Sequence, residues 1–192
     1  MSDVKNILLV GVGGQGIILA SKILAEGLMS GGYDVKMSEV HGMAQRGGSV
    51  TTQVRFGEKV YSPIIGKGQA DILVSFEKME SGKWIDHLKK GGKVVVNDYE
   101  IPSAPILTGK ELYPEGIIEE LKSKADVTVF KAAEIAKELG NIRTMNVVMV
   151  GALVKAIGLD DVNWEEVVKS TVKEKFVGIN TEALKRGMEQ VK

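Results

Sequence analysis

The chain has 192 residues, with 25 lysine and arginine residues balanced by 25 aspartate and glutamate, and no cysteine. Such a length suits one domain, a 44% hydrophobic content argues against disorder, and zero net charge with few aromatics leaves no footprint for nucleic acid. Without cysteine, the chain supplies no disulfide, no iron–sulfur ligand and no thiol chemistry.

The polar start, Met1 to Asn6, lacks the pattern of a signal peptide. No run of 18 apolar residues offers a membrane span, so a cytoplasmic protein is expected. Ile7 to Val10 is a short continuous apolar run, the mark of a strand buried on both faces. It enters Gly11-Val12-Gly13-Gly14-Gln15-Gly16 and then a largely apolar helix, Ile17 to Met29, which Gly31-Gly32 terminates. Val35 to Val40 follows as a second strand, giving a strand–turn–helix–strand opening expected to be right-handed and parallel.

Beyond the segment His41 to Gly48, the residues Ser49 to Phe56 alternate apolar and polar, as in a half-buried strand. Gly57-Glu58 predicts a two-residue turn into Lys59 to Ile65, hence an antiparallel hairpin. Asp71 to Phe76 and Lys93 to Asn97 read as buried strands flanking a helix near Lys78 to Leu88. Pro102, Pro105 and Pro114 predict a loop over Ile101 to Pro114. A short helix (Glu115 to Lys122), a strand (Val127 to Phe130) and four helices (Ala132–Leu139, Thr144–Ile157, Trp164–Val172 and Thr181–Val191) complete the pattern. The expected fold is α/β: a Rossmann-like, mostly parallel sheet with a β-hairpin insertion and C-terminal helices, residues 1–192 forming one domain with a helical tail from about residue 141.

Gly11, Gly13 and Gly16 fit G-x-G-x-x-G after a strand and before a helix. Glycines there permit a tight turn and let backbone N–H groups approach an anion, and the helix N-terminus adds roughly half a positive charge. The alternative is a merely close strand–helix turn. Glu39, beyond the second strand's middle, keeps a free-standing NAD(P)-binding Rossmann oxidoreductase open as another reading. The Gln15 amide is expected to point from the loop tip toward a ligand or a neighbouring chain.

The second loop, Glu39-Val40-His41-Gly42-Met43-Ala44-Gln45-Arg46-Gly47-Gly48-Ser49, leaves the second strand on what should be the same rim. Arg46 offers a fork of donors to carboxylate or phosphate, Gly47 and Gly48 leave amides accessible, and His41 titrates near neutrality. His41 and Arg46 are therefore the candidates for a catalytic role, and Gly11, Gly13, Gly14, Gln15, Gly16, Arg46, Gly47 and Gly48 those for ligand binding. Ordinary surface pairing of Arg46 and a satisfied turn for His41 are the plainer alternatives. A P-loop is rejected, because Gly48 stands where its lysine belongs and a strand follows. Glu77, Asn97 and Asp98 fall at strand ends and extend the rim. Asn146, in the apolar helix Thr144 to Ile157, is read as a capping or core-bracing amide. No metal-ligand spacing is evident.

In these two loops the chain resembles the gamma-type subunit of 2-oxoacid:ferredoxin oxidoreductases. Its His41-Gly42-Met43-Ala44-Gln45-Arg46-Gly47-Gly48-Ser49 segment is most similar to the form in the small (beta) subunit of indolepyruvate ferredoxin oxidoreductase. The resemblance implies oxidative decarboxylation of a 2-oxoacid to an acyl-CoA, with electrons passed to ferredoxin. It places thiamine diphosphate, magnesium and the iron–sulfur clusters on a large partner subunit, and it implies coenzyme A at the rim formed by Gly13, Gly14 and Gln15 with His41, Arg46 and Gly47. A chain of this kind is not expected to be active alone. A purely structural subunit is the remaining alternative.

Overall fold

The computed structural model describes residues 4–41 and 48–192, with the backbone alone for His41. A six-stranded sheet in the order β2-β3-β1-β4-β5-β6 forms the centre. The chain enters it through β1 (Lys5–Val12), crosses by α1 (Ile17–Ser30) to β2 (Asp34–His41), and returns as β3 (Ser49–Gly57). It continues through β4 (Ala70–Ser75), α2 (Lys78–Trp84) and a 3-10 turn at Ile85–His87 into β5 (Leu88–Asn97). Then come α3 (Ala104–Leu107), α4 (Ile117–Lys124), β6 (Asp126–Phe130), α5 (Ala132–Glu138), a 3-10 turn at Ile142–Thr144, α6 (Met145–Ala156), α7 (Trp164–Thr171) and α8 (Val177–Met188).

The α/β expectation holds, with β1, β4, β5 and β6 paired in parallel. The hairpin lies elsewhere than expected. Strand β3 pairs antiparallel with β2 on one side, Asp34↔Gly57 to His41↔Val50, and with β1 on the other, Lys5↔Phe56 to Val12↔Ser49. The first two strands are thus not neighbours. The physical reason lies in the two candidate partners for β3. Residues 59–65 contain Pro63, which has no N–H for a ladder, and polar side chains take up their backbone instead. Asp34 accepts from Val60 N at 2.9 Å, Gln53 accepts from Ile65 N at 2.6 Å, and Arg55 donates to Ser62 O at 2.9 Å. The predicted helix Lys78–Leu88 also ends early, at Trp84, and Leu88 already begins β5. In the proline-rich stretch a single short helix, α3, forms with a proline in its first turn, where the missing N–H costs nothing.

One face of the sheet packs on α1, α6, α7 and α8, with Leu9, Val54, Val74 and Val95 meeting Ile23, Leu24, Val148 and Val168. The other is covered by α2 and α4 through Leu8, Val10, Leu73, Val94, Ile117 and Leu121. Helix α6 is buried all round. It crosses α8 in direct backbone contact: a Cβ on Gly151 would lie 2.1 Å from Leu184 O, and one on Gly187 2.0 Å from Val148 O. Among the described residues, no helix is long and apolar enough to cross a membrane.

Candidate functional site

The glycine turn closes where β1 meets the N-terminus of α1. Gly14 (φ 102°) and Gly16 (φ 77°) both adopt the left-handed region, which a side chain disfavours. Gly16 O accepts from Leu19 N and from Ala20 N, both at 3.1 Å, so the N–H groups of Ile17 and Ile18 find no acceptor among the described residues. These orphan donors, with the positive end of a 14-residue helix, make the turn receptive to an anion.

The loop is braced from within. Gln15 is 8% exposed; its Oε1 accepts from Val12 N at 2.8 Å and its Nε2 donates to Phe76 O at 2.6 Å. The expectation that its amide points outward is therefore corrected: both ends of the amide are spent tying the turn to the end of β4. Gly11 leaves room for this packing, since a Cβ there would meet Gln15 Oε1 at 2.7 Å and Phe76 Cβ at 2.9 Å. Phe76 O also accepts from Asn97 Nδ2 at 3.0 Å, and Asn97 Oδ1 in turn accepts from Ala132 N at 3.0 Å. The rim residue Asn97 is thus a buried brace across the parallel strand ends.

A cavity of about 510 Å³ opens above this framework, lined by Gly13, Gly14 and Gly16 on one side, Tyr99 and Ile101 on another, and Arg143 and Asn146 on a third. Arg143 sits in the 3-10 turn that introduces α6, and Asn141 fixes that turn by accepting from Arg143 N at 3.1 Å. The exposed guanidinium of Arg143 makes no ion pair among the described residues. Asn146 is 4% exposed; its Nδ2 donates to Gly16 O at 3.1 Å, while its Oδ1 is buried with no hydrogen-bond partner among the described residues. Such an orphaned acceptor is costly and marks a place where a donor is wanted. Arg143 carries no signal in the sequence, and Asn146 is expected there only as a brace. A bracing contact exists, and the free acceptor beside it carries the further meaning. No local pattern in the sequence signals it, because 130 residues separate Asn146 from Gly16.

The second loop lies mostly outside the described residues. This applies to Arg46 and Gly47, and the side chain of His41 is likewise outside. Its end is placed: Gly13 N donates to Gly48 O at 2.9 Å, so the end of this loop meets the glycine turn. Ser49 Oγ donates to the buried Glu80 carboxylate at 2.6 Å. Glu39 lies on β2, with β3 between it and β1, and its Oε1 accepts from Ser21 Oγ at 3.2 Å. Two strand spacings, roughly 10 Å, therefore separate its strand from β1, where the dinucleotide-binding order has one, which disfavours the NAD(P) reading. Among the described residues, no cluster of His, Asp and Glu gathers as a metal site.

Comparison with known proteins places this architecture. Residues 6–190 match the family model described as pyruvate ferredoxin/flavodoxin oxidoreductase. The chain is 40% identical to the indolepyruvate oxidoreductase subunit IorB of Thermococcus kodakarensis, over 97% of the chain and 96% of that relative. A keto/oxoacid ferredoxin oxidoreductase gamma subunit from Geobacter sulfurreducens is 28% identical, with a TM-score of 0.72 and 97% of each chain covered. A 2-oxoglutarate:ferredoxin oxidoreductase from Magnetococcus marinus, solved with 2-oxoglutarate, coenzyme A and succinyl-CoA bound, shares the fold. It has a TM-score of 0.75 and 21% identity, and 99% of this chain covers 31% of that longer one.

Proposed function

From the premise that the chain belongs to the pyruvate ferredoxin/flavodoxin oxidoreductase family, we propose that it is the small subunit of a heteromeric indolepyruvate-type 2-oxoacid:ferredoxin oxidoreductase and holds coenzyme A at the glycine-turn cavity. The observation that carries the ligand reading is the convergence of unlike groups on one cavity. The α1 N-terminus and the Arg143 guanidinium suit phosphate. Asn146 Oδ1, without a partner among the described residues, suits an amide N–H. Coenzyme A carries both, phosphates at one end and a chain with two amides leading to its thiol.

The chain has no cysteine to ligate a cluster; in this reading the iron–sulfur clusters, with the thiamine diphosphate and magnesium that the family resemblance implies, belong to a larger partner subunit that passes electrons to ferredoxin. When coenzyme A is bound, its thiol accepts the acyl group. The part of this chain is to hold and orient the carrier: glycine-turn amides and Arg143 against the phosphates, Asn146 against the amide arm. His41 and Arg46 stay candidates, through the family resemblance alone, for a part in the chemistry of the assembled complex.

Two measurements test this. Purification of the chain from native extract should bring a larger partner containing thiamine and iron, with activity lost when either chain is removed. Calorimetric titration of that complex should show coenzyme A binding about tenfold weaker in Arg143→Ala, the scale of one charge-assisted contact. Unchanged affinity would sink the cavity assignment, and a lone active chain would sink the subunit reading.

A further inference from the structure

The cavity wall formed by Tyr99 and Ile101 has no regular secondary structure to hold it, yet its backbone is anchored at both residues. Tyr99 O accepts from Lys78 N at 2.9 Å. Ile101 N donates to Glu77 Oε1 at 3.1 Å. Glu77 is 0% exposed and stands between β4 and α2, where it caps the helix by accepting from Glu80 N on Oε2 at 2.9 Å. Its Oε1 also accepts from Tyr113 Oη at 2.6 Å. Tyr113 Oη itself accepts from Met79 N at 3.0 Å, which directs the phenolic hydrogen to Glu77. Burial, followed by the neighbouring carboxylate, pushes the Tyr113 phenol well above its ordinary range, so it stays a donor.

We propose that Glu77 is a positioning residue for the ligand cavity, its carboxylate setting the Tyr99–Ile101 wall against the glycine turn. The proposal rests on the coenzyme A reading of that cavity. Two features favour a positioning role over plain packing. A buried carboxylate is an expensive way to fill space, and a helix cap needs only one oxygen, whereas both oxygens are engaged here. The neighbouring Phe76 ties the same turn to the cavity floor, because Phe76 O accepts from Gln15 and Phe76 N donates to Val10 O at 2.8 Å. Floor and wall are therefore set by consecutive residues.

The chemistry predicts which substitution hurts. Every partner of Glu77 is a donor. Glutamine turns one acceptor oxygen into NH2, which then faces a donor. In the assembled complex, Glu77→Gln and, independently, Tyr113→Phe should each raise the coenzyme A Kd by calorimetry, and the KM for coenzyme A, about fivefold to tenfold. The kcat at saturating coenzyme A and the KM for the 2-oxoacid should change by less than about twofold, as expected when only binding is lost. Val167→Ala, on the buried face of α7, supplies a variant of lowered Tm away from the cavity lining. If the Glu77 and Tyr113 variants weaken coenzyme A no more than Val167→Ala does, the positioning role is overturned. If they leave the Kd unchanged while Arg143→Ala raises it, the positioning role fails alone. If none of the three moves it, the cavity reading fails as well.

Discussion

Asn146 and Gly16 lie 130 residues apart in the chain and meet through one hydrogen bond, Asn146 Nδ2 to Gly16 O at 3.1 Å. This contact pins the first turn of α1 to the start of α6, and it leaves Asn146 Oδ1 without a partner among the described residues. Asn146→Ala therefore removes one bond but also one unsatisfied acceptor. Gly16 O keeps Leu19 N and Ala20 N as donors. The expected loss of stability is about 1 kcal/mol or less, while coenzyme A affinity falls about tenfold. Denaturant unfolding and calorimetry on the same sample separate the effects, and a stability loss several times larger with unchanged affinity would make Asn146 a brace only.

The Arg143 guanidinium is exposed and makes no ion pair among the described residues, so its attraction for a phosphate is open to screening. Coenzyme A affinity of the wild-type complex should fall as salt rises across roughly 0.01–0.15 M, where the Debye length shrinks from about 30 to about 8 Å. The slope should flatten in Arg143→Ala. Arg143→Lys should restore part of the affinity and less of the specificity, lacking the planar fork. Equal slopes for wild type and Arg143→Ala would remove Arg143 from the site.

Gln15→Leu keeps approximate size while deleting the two hydrogen bonds to Val12 N and Phe76 O. Both lie in the buried floor of the turn, so a loss of about 2 kcal/mol is expected, with a lower Tm for the assembled complex. A neutral result would return Gln15 to the outward-facing role that the sequence suggested.

The α6–α8 crossing predicts opposite signs for two glycines of the same helix. Gly187→Ala drives a Cβ to 2.0 Å from Val148 O and should cost about 3 kcal/mol or more. Gly178→Ala meets nothing within 4 Å and should stabilise α8 by about 0.5–1 kcal/mol. Thermal unfolding of the two variants checks the crossing directly, and similar shifts in both would contradict it.

What was legible in the sequence follows from how local each signal is. Buried parallel strands such as Asp71 to Phe76 announce themselves as apolar runs, and Gly16 announces the start of α1 through its neighbours. The neighbour of β1 was not legible, because pairing is decided between segments far apart. Ser49 to Phe56 alternates correctly whichever partner it takes, and what excluded residues 59–65 was their capture by Asp34, Gln53 and Arg55. The glycine turn was visible as a motif, while the cavity's third side was not. Arg143 and Asn146 arrive there only because α6 runs under α1, a matter of tertiary packing. A polar residue at a loop tip such as Gln15 looks solvent-directed, and its inward turn depends on the Phe76 carbonyl just past the end of β4.

The antiparallel insertion of β3 has a consequence for how the molecule opens. It leaves β1 with a ladder on each side and its residues Ile7 to Val10 all but sealed, whereas β2 has one ladder only. Amide hydrogens of β1 should exchange with deuterium only on unfolding of the whole domain, and those of β2 through partial fraying. The strand that carries the glycine turn is then among the last to breathe, and the strand that ends at His41 among the first, so the sheet loosens from its edge while the turn keeps its shape.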